Sequence, residues 1–167
     1  MKKIGLVCAC ITIILFACNK DDCPQGYTGS DCDIQIAPAS ITLNSVDVTD
    51  FPDAKSDGSG WDDSNGPDIY FKLYRNDSEI FTSDTKSDVL VTTDLIFTDG
   101  MPFNIANVDD DYTISFFDED GLLDANDEMG SFVFDMYSSL NSFPDVIHIE
   151  NPGGSEFDIN IHVDYNF

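Results

Sequence analysis

The chain has 167 residues, of which 42% are hydrophobic and 12% aromatic, enough for one domain with a real core and too apolar for a disordered chain. It carries 32 acidic residues against 7 Lys and Arg, for a formal net charge of −25. This charge excludes nucleic acid as a partner, because the phosphate backbone would be repelled, and disfavours charge-driven docking on an anionic membrane. It favours cations as ligands.

The N-terminus has the pattern of an export signal. Two lysines precede the apolar segment Ile4–Ala17, whose helical length of about 21 Å is too short for a hydrocarbon core of about 30 Å. The segment runs into Leu15-Phe16-Ala17-Cys18, which resembles the processing box of bacterial lipoproteins. The resemblance implies that residues 1–17 are a signal peptide and that Cys18 is lipidated. An ordinary signal peptide cut near Ala17 is the alternative.

The residues that follow Cys18 indicate a destination. Asn19-Lys20-Asp21-Asp22 resembles the signal that sends lipoproteins of the Bacteroidota to the cell surface. The resemblance implies an outer membrane lipoprotein exposed on the cell surface, with the membrane contacted through its N-terminal lipid. An anchor that faces the periplasm is the alternative.

The cysteine count agrees with export. Cys8 and Cys10 lie in the predicted signal peptide, and a lipidated Cys18 leaves two cysteines, Cys23 and Cys32, an even number in an oxidising compartment.

These two cysteines enclose a recognisable motif. The segment Cys23-Pro-Gln-Gly-Tyr-Thr-Gly-Ser-Asp-Cys32 is similar to the last hairpin of EGF-like modules, C-x-x-G-Y-x-G-x-x-C. The resemblance implies a disulfide between Cys23 and Cys32. A full EGF-like module needs four more cysteines, so residues 18–38 are predicted to be a lipidated tether with an EGF-like hairpin remnant, ending in a linker at Ile34–Pro38. Receptor binding by the hairpin is the alternative.

Residues 39–167 show period-two alternation of apolar and polar residues, which is typical of strands with one buried face. Turn-rich segments separate the strands, and Met136–Phe143 is predicted to form one or two helical turns. This pattern predicts a single antiparallel β-sandwich of about seven or eight strands. In chain order the predicted strands are Ile41–Val48, Ile69–Tyr74, Val89–Phe97, Tyr112–Phe116, Phe132–Phe134, Val146–Ile149 and Phe157–Tyr165.

Two loops at predicted strand ends concentrate aspartates. If the carboxylates converge, each pair about 5 Å apart at an effective dielectric of about 20 costs roughly 3 kcal/mol. A hard divalent cation with six to eight oxygen ligands relieves that repulsion. The loop aspartates are Asp62, Asp63, Asp68, Asp118, Asp120, Asp124 and Asp127.

The same two loops resemble the calcium-binding loops of the C2 domain, an eight-stranded antiparallel β-sandwich. Asp62 and Asp68, followed by Ile-Tyr-Phe-Lys, resemble its first loop, and Phe117-Asp-Glu-Asp120 with Asp127-Glu-Met-Gly130 resemble its third. The resemblance implies a C2-like sandwich over residues 39–167 with Ca²⁺ as the cofactor. The implied ligands are Asp62, Asp68, Asp118, Asp120 and Asp127, with Asp63 and Asp124 as reserves.

Other interpretations of these loops stay open. The acids could be solvated loop residues of an acidic protein, and Asp118–Asp124 fits the middle of an EF-hand-type loop. Trp61, beside Asp62, either packs on the sandwich or presents its ring to a ligand such as a sugar.

We predict a non-enzymatic, calcium-dependent binding or adhesion module on the cell surface, with a protein, glycan or lipid as its extracellular ligand. A calcium-stabilised structural module of a surface coat is the alternative. A glycan-acting hydrolase that uses a carboxylate pair is the least favoured, because the carboxylates lie in calcium-like loops.

Overall fold

The structure is a computed structural model, and it describes residues 23–62, 65–121, 125–139, 142–150 and 152–167. The predictions for the signal peptide, for Cys18 and for the surface signal at residues 19–22 lie outside the described residues. Within those residues, no helix has the length and apolar character needed to cross a membrane.

The described residues form eleven strands and one short 3₁₀ turn at Pro152–Gly154. The strands are β1 Tyr27–Thr28, β2 Ile34–Gln35, β3 Ser40–Asp50, β4 Ile69–Arg75, β5 Ser78–Thr82, β6 Leu95–Phe97, β7 Phe103–Ile105, β8 Tyr112–Asp118, β9 Asp127–Phe134, β10 Val146–Glu150 and β11 Asp158–Asn166.

Two antiparallel sheets make a sandwich. One has the order β5-β4-β8-β9, and the other has the order β10-β11-β3 with β6 and β7 along the remaining side of β3. Strand β6 pairs with Val46–Val48 and β7 pairs with Ile41–Leu43, so together they act as one interrupted edge strand. With these two counted as one, the sandwich has eight strand positions. The predicted all-β, eight-stranded antiparallel fold is confirmed.

Strand β3 keeps both of its halves facing the core by means of a β-bulge. Its buried residues are Ile41 and Leu43 in the first half and Val46 and Val48 in the second, so the alternation changes phase between them. The pairing with β11 skips Asn44 at that point. The extra residue resets the phase, and every large apolar side chain of the strand therefore still points inward.

Aromatic pairs join the two sheets. The ring centroids of Phe71 on β4 and Phe97 on β6 are 5.2 Å apart, and those of Phe116 on β8 and Phe157 beside β11 are 5.0 Å apart. All four rings are buried. Each such pair contributes about 0.5–1.5 kcal/mol beyond the burial of its area, so these contacts hold the layers in a fixed relation.

Three features differ from the sequence prediction. Strands β5 and β7 were not predicted, because each is short and lies at a sheet edge with exposed residues. Only Leu95–Phe97 of the predicted strand Val89–Phe97 is a strand, since a turn closed by the N–H of Thr93 on the carbonyl of Leu90 interrupts it. The described residues between 136 and 143 form no helix.

The disulfide between Cys23 and Cys32 is present, as predicted. The hairpin it closes packs directly on the sandwich, at the end where β3 begins and β11 finishes. The ring of Tyr27 lies 5.5 Å from that of Phe143, and the Gln35 amide donates a 2.9 Å hydrogen bond to the carbonyl of Ser138. Ile34 and Gln35, predicted to lie in a linker, form β2 and pair with β1. The predicted tether is therefore docked on the domain along this part of its length.

Gly26 allows this docking. A Cβ atom on Gly26 would lie 2.5 Å from the ring of Phe143 and 2.6 Å from that of Phe167. We expect Gly26→Ala to displace the hairpin from the sandwich at a cost of about 1–3 kcal/mol in the free energy of unfolding. Hydrogen exchange of the Tyr137 and Phe143 amides should rise.

Gly29→Ala is the matched control. Gly29 also has a positive φ, but the atoms nearest to its Cβ would belong to Asp33 and Ile34 inside the hairpin. Its backbone strain should leave exchange at Phe143 unchanged. Equal exchange at Phe143 in the two variants would contradict the docking.

Candidate metal centre

The two aspartate-bearing loops meet at one end of the sandwich, which we call the acidic end: the loop between β3 and β4 and the loop between β8 and β9. The register of the sheet brings them together. Asp118, the last residue of β8, pairs with Ile69 at the start of β4 on one side and with Asp127 at the start of β9 on the other. Asp68 directly precedes Ile69, so Asp68, Asp118 and Asp127 lie at the same end of three neighbouring strands.

Three carboxylates converge at the acidic end and form a cluster, which we call the three-carboxylate cluster: Asp62, Asp118 and Asp120. Each offers one oxygen, and these oxygens all lie within 4.8 Å of one another. Asp62 comes from the first loop and the other two come from the second. The predicted convergence of the loops is confirmed for these three residues. Within the described part of the chain, no other group of three such side chains meets this spacing.

Asp118 is the buried member of the cluster, with none of its surface exposed. Its Oδ1 accepts a 2.7 Å hydrogen bond from the backbone N–H of Asp68. Its Oδ2 is buried and has no hydrogen-bond partner among the described residues, and the same holds for Oδ2 of Asp120. Burying a carboxylate oxygen without a partner is unfavourable, so these two atoms call for a cation or a proton.

The carboxylates of Asp118 and Asp62 are held in an unfavourable environment for their charge. Burial raises the pKa of Asp118; the Asp68 N–H opposes this, while the charges of Asp62 and Asp120 add to it. Burial also raises the pKa of Asp62, with further contributions from the charges of Asp68, Asp120 and Asp88. Folding therefore brings more negative charge to the acidic end than the local hydrogen bonds compensate.

Asp68 connects the two loops instead of joining the three-carboxylate cluster. Besides donating to Asp118, it accepts at its carbonyl a 2.9 Å hydrogen bond from the N–H of Glu119. Its Oδ1 accepts a 2.7 Å hydrogen bond from the N–H of Asp88. Asp68 still borders the cluster, since its charge raises the pKa of Asp62.

Asp127 forms an ion pair with Lys55, a residue of the first loop that the sequence analysis did not single out. The hydrogen bond to Asp127 is the main cause of the raised pKa of Lys55, and the charges of Asp120 and Asp118 add to it. The ammonium group therefore lies close enough to the three-carboxylate cluster to be attracted by it. One clue was present in the sequence: Lys55 is a rare basic residue in an acidic loop.

Trp61 packs beside the cluster. Its side chain is 8% exposed, its indole N–H donates a 2.8 Å hydrogen bond to the carbonyl of Pro52, and the Lys55 ammonium lies 5.7 Å from its ring centre. This arrangement matches the packing alternative. Trp61 also lines an open cleft of about 790 Å³ together with Lys55, Asp127 and Met129. Contact between Trp61 and a ligand stays a prediction.

Two predicted reserve ligands, Asp63 and Asp124, lie outside the described residues. The EF-hand-type interpretation of the second loop is wrong, because an EF-hand loop joins two helices and this loop joins strands β8 and β9.

Comparisons with known proteins agree with the fold. No protein-family profile matches the chain, and a search of curated proteins finds no relative. Among solved structures, one described as a C2 domain is similar, with a TM-score of 0.52, 11% identity, and coverage of 77% of this chain and 98% of the other. The human GIVD cytosolic phospholipase A2, in complex with methyl gamma-linolenyl fluorophosphonate inhibitor and terbium chloride, has a TM-score of 0.52 and 16% identity over 78% of this chain. This chain spans only 18% of the phospholipase. The fold is therefore C2-like.

The raised pKa values give the stability of the metal-free protein a defined pH dependence. The folded chain holds protons on Asp62 and Asp118 that the unfolded chain releases, so the stability that these groups contribute falls as the pH rises above about 4. In chelator at pH 7, Asp118→Asn should therefore raise the free energy of unfolding by about 1–3 kcal/mol. The variant should accordingly unfold at a higher denaturant concentration than the natural chain. The difference should shrink toward pH 4.

Asp109→Asn is the control, because Asp109 is exposed in the loop before β8, at the other end of the sandwich. It removes one negative charge without touching the cluster. If Asp118→Asn is less stable than the natural chain in chelator at pH 7, the carboxylate is not under the strain described here.

Proposed function

We propose that this protein is a calcium-dependent binding module and that the three-carboxylate cluster holds the ion. The observation that carries the proposal is the unpartnered, buried Oδ2 of Asp118, together with the unpartnered Oδ2 of Asp120 in the same cluster. An exposed acidic cluster can be solvated by water, but a fully buried carboxylate oxygen needs a specific partner. The sequence placed aspartates in both loops, and the fold brings one from the first and two from the second around the same point.

The donor set suits a hard divalent cation. It consists of carboxylate oxygens alone, whereas zinc and copper sites use histidine or cysteine. Ligands bound to one Ca²⁺ at about 2.4 Å lie up to about 4.8 Å from one another, a distance that the three oxygens satisfy. Calcium tolerates irregular coordination by carboxylates, carbonyls and water, while magnesium demands a near-ideal octahedron. Asp62, Asp118 and Asp120 would hold the ion, with Asp68 bordering it.

The charge distribution favours a role in which the ion itself attracts the ligand. The four Lys and Arg residues in the described part of the chain each pair with a carboxylate: Lys55 with Asp127, Lys72 with Glu79, Arg75 with Asp110 and Lys86 with Asp99. No basic face is left there to attract anionic headgroups. A bound calcium ion would supply the positive charge next to the open cleft. A purely structural role is the second candidate, favoured by the hydrogen bond through which Asp118 already holds Asp68.

Calcium should raise the melting temperature of the purified chain. With about 1 mM calcium and a Kd of about 0.1 mM, linkage contributes roughly 1.4 kcal/mol, or about 3–6 °C for a protein of this size. Asp120→Asn should abolish this shift because it removes a ligand, whereas Asp109→Asn should retain it. Matched ionic strength in sodium chloride controls for general screening, and magnesium tests selectivity.

Terbium provides a direct readout of the same site. Trp61 is the one tryptophan of the chain and lies beside Asp62, so excitation of its indole should sensitise the emission of a terbium ion held by the cluster. Calcium should compete for the signal. A melting temperature that calcium leaves unchanged, together with no terbium emission, would overturn the proposed function.

A screen of immobilised glycans and proteins with calcium or chelator separates the two roles. Calcium-dependent retention of a ligand supports the binding module, whereas a thermal shift without any such retention supports the structural role.

We also propose that the protein is anchored at the cell surface through a lipid on Cys18, on the strength of the Leu15–Cys18 box and the Asn19–Asp22 segment. Cys18→Ala should move the protein from the membrane fraction to the soluble fraction, because the acyl chains would be absent. Protease treatment of intact cells reports whether the natural protein is exposed. Retention of Cys18→Ala in the membrane fraction would contradict lipid anchoring.

A further inference from the structure

The two-stranded ribbon of β1 and β2 has one face on the sandwich and one face in solvent. Tyr27 and Gln35 are direct partners in the antiparallel pairing, so their side chains share a face. That face is the docked one, since Tyr27 packs on Phe143 and Gln35 donates to the carbonyl of Ser138. The side chains that alternate with Gln35 therefore point away from the sandwich.

This outward face of the hairpin is apolar. It carries Ile34 and Ile36, one on each side of Gln35, with 56% and 39% of their surface exposed. The N–H of Ile36 donates a 2.9 Å hydrogen bond to the carbonyl of Gly26, which extends the ribbon past β2. Six large apolar side chains are exposed in the described part of the chain, and three of them, these two and Phe167, lie at the hairpin end. Exposed apolar surface gathered at one end of a domain is typical of a contact site.

The length of chain before the hairpin points to what covers this face. Cys18 precedes Cys23 by five residues, which span at most about 18 Å when fully extended. The disulfide holds the Cα atoms of Cys23 and Cys32 5.3 Å apart, and Ile34 follows Cys32 by two residues. A lipid on Cys18 would therefore keep the outward face close to the bilayer. The four residues between Cys18 and Cys23 are all polar, so they offer no apolar side chain that could cover the isoleucines instead.

We infer that the outward face of the hairpin, at Ile34 and Ile36, rests on the lipid bilayer to which the chain is anchored. The inference rests on the lipid anchor of the proposed function and is independent of the calcium site. The contact is apolar, because residues 23–38 contain two aspartates and no lysine or arginine that could be drawn to anionic headgroups. The acyl chains hold the protein on the membrane, and burial of the two isoleucines at the interface fixes its orientation.

Quenching of tryptophan fluorescence by brominated lipid reports this contact directly. The lipidated full chain is reconstituted into phosphatidylcholine vesicles whose acyl chains carry bromine. Trp61, the one tryptophan of the natural chain, lies at the acidic end and should not be quenched, which sets the baseline. The tryptophan that Ile34→Trp adds should lose about half of its emission, because an indole at this position would lie in the membrane interface.

Ile96→Trp is the matched control. Ile96 is 55% exposed, almost the same as Ile34, but it lies on β6 opposite Asp47, in the half of β3 remote from the hairpin. It should show no quenching. A domain that swung freely on its tether would bring both added tryptophans to the bilayer alike, so equal quenching of the two variants would overturn the inference.

A second position shows whether the contact belongs to the natural face or to the added indole. Ile36→Trp should also be quenched, and Ile34→Asn in that background should weaken the quenching, because a polar amide disfavours the apolar contact. Replacement of part of the phosphatidylcholine by anionic phosphatidylglycerol should weaken it too, since the chain is strongly acidic. Quenching that ignores Ile34→Asn, or that rises with anionic lipid, would contradict an apolar contact.

Co-sedimentation with the same vesicles separates this inference from the proposed anchor. The natural chain should sediment and Cys18→Ala should stay in solution. If they do so and Ile34→Trp is not quenched, the anchor stands and the inference fails. If the natural chain does not sediment, lipid anchoring fails and the inference fails with it, while the calcium site is untouched. Dimers of Cys18→Ala that Ile34→Asn dissociates would assign the face to a second copy of the chain and would also overturn the inference.

Discussion

The acidic end depends on one buried carboxylate, that of Asp118. One of its oxygens holds the backbone N–H of Asp68 and so ties the second loop to the first, while its other oxygen has no partner among the described residues. The two sheets fix this arrangement, because Asp118 is the last residue of a strand that is paired on both sides. The chain thus folds around a charge that it does not fully neutralise, and Asp62 and Asp120 add to the imbalance. The proposed affinity for a cation rests on that imbalance of charge.

The sequence predicted the parts of the fold that depend on local pattern. The alternation over Phe157–Tyr165 reveals β11, because every second side chain from Phe157 to Val163 is buried in the core and Tyr165 packs partly against it. Strand β7 could not be recognised, because it has three residues and owes its conformation to pairing with β3. Likewise, helical turns were predicted over Met136–Phe143, but the described residues of that range are irregular: Met136 enters the core and Phe143 meets the hairpin.

The candidate site was likewise predicted from the sequence only in part. The clustering of aspartates in two loops and the resemblance of those loops to C2 domains brought Asp62, Asp118 and Asp120 to attention, and their meeting follows from the sandwich topology. Spacing could not place Lys55, since it contacts Asp127 across 72 residues of sequence and no motif connects them. Nor could it show that Asp68 would use its carboxylate to hold Asp88, a backbone contact that depends on the course of a long loop. A motif identifies the residue types of a site, whereas long-range packing decides which of them remain available.

The docked hairpin and the acidic end lie at opposite ends of the sandwich. The hairpin sits where β3 begins, and the acidic end lies where β3 finishes, at the far end of an extended strand of 11 residues. At about 3.3 Å per residue, the two poles are separated by roughly 35 Å. Because aromatic contacts and hydrogen bonds hold the hairpin on the sandwich, the strand keeps the hairpin and the acidic end at opposite ends of the domain. Any attachment that precedes Cys23 would leave the aspartates at the opposite end of the domain, far from the point of attachment.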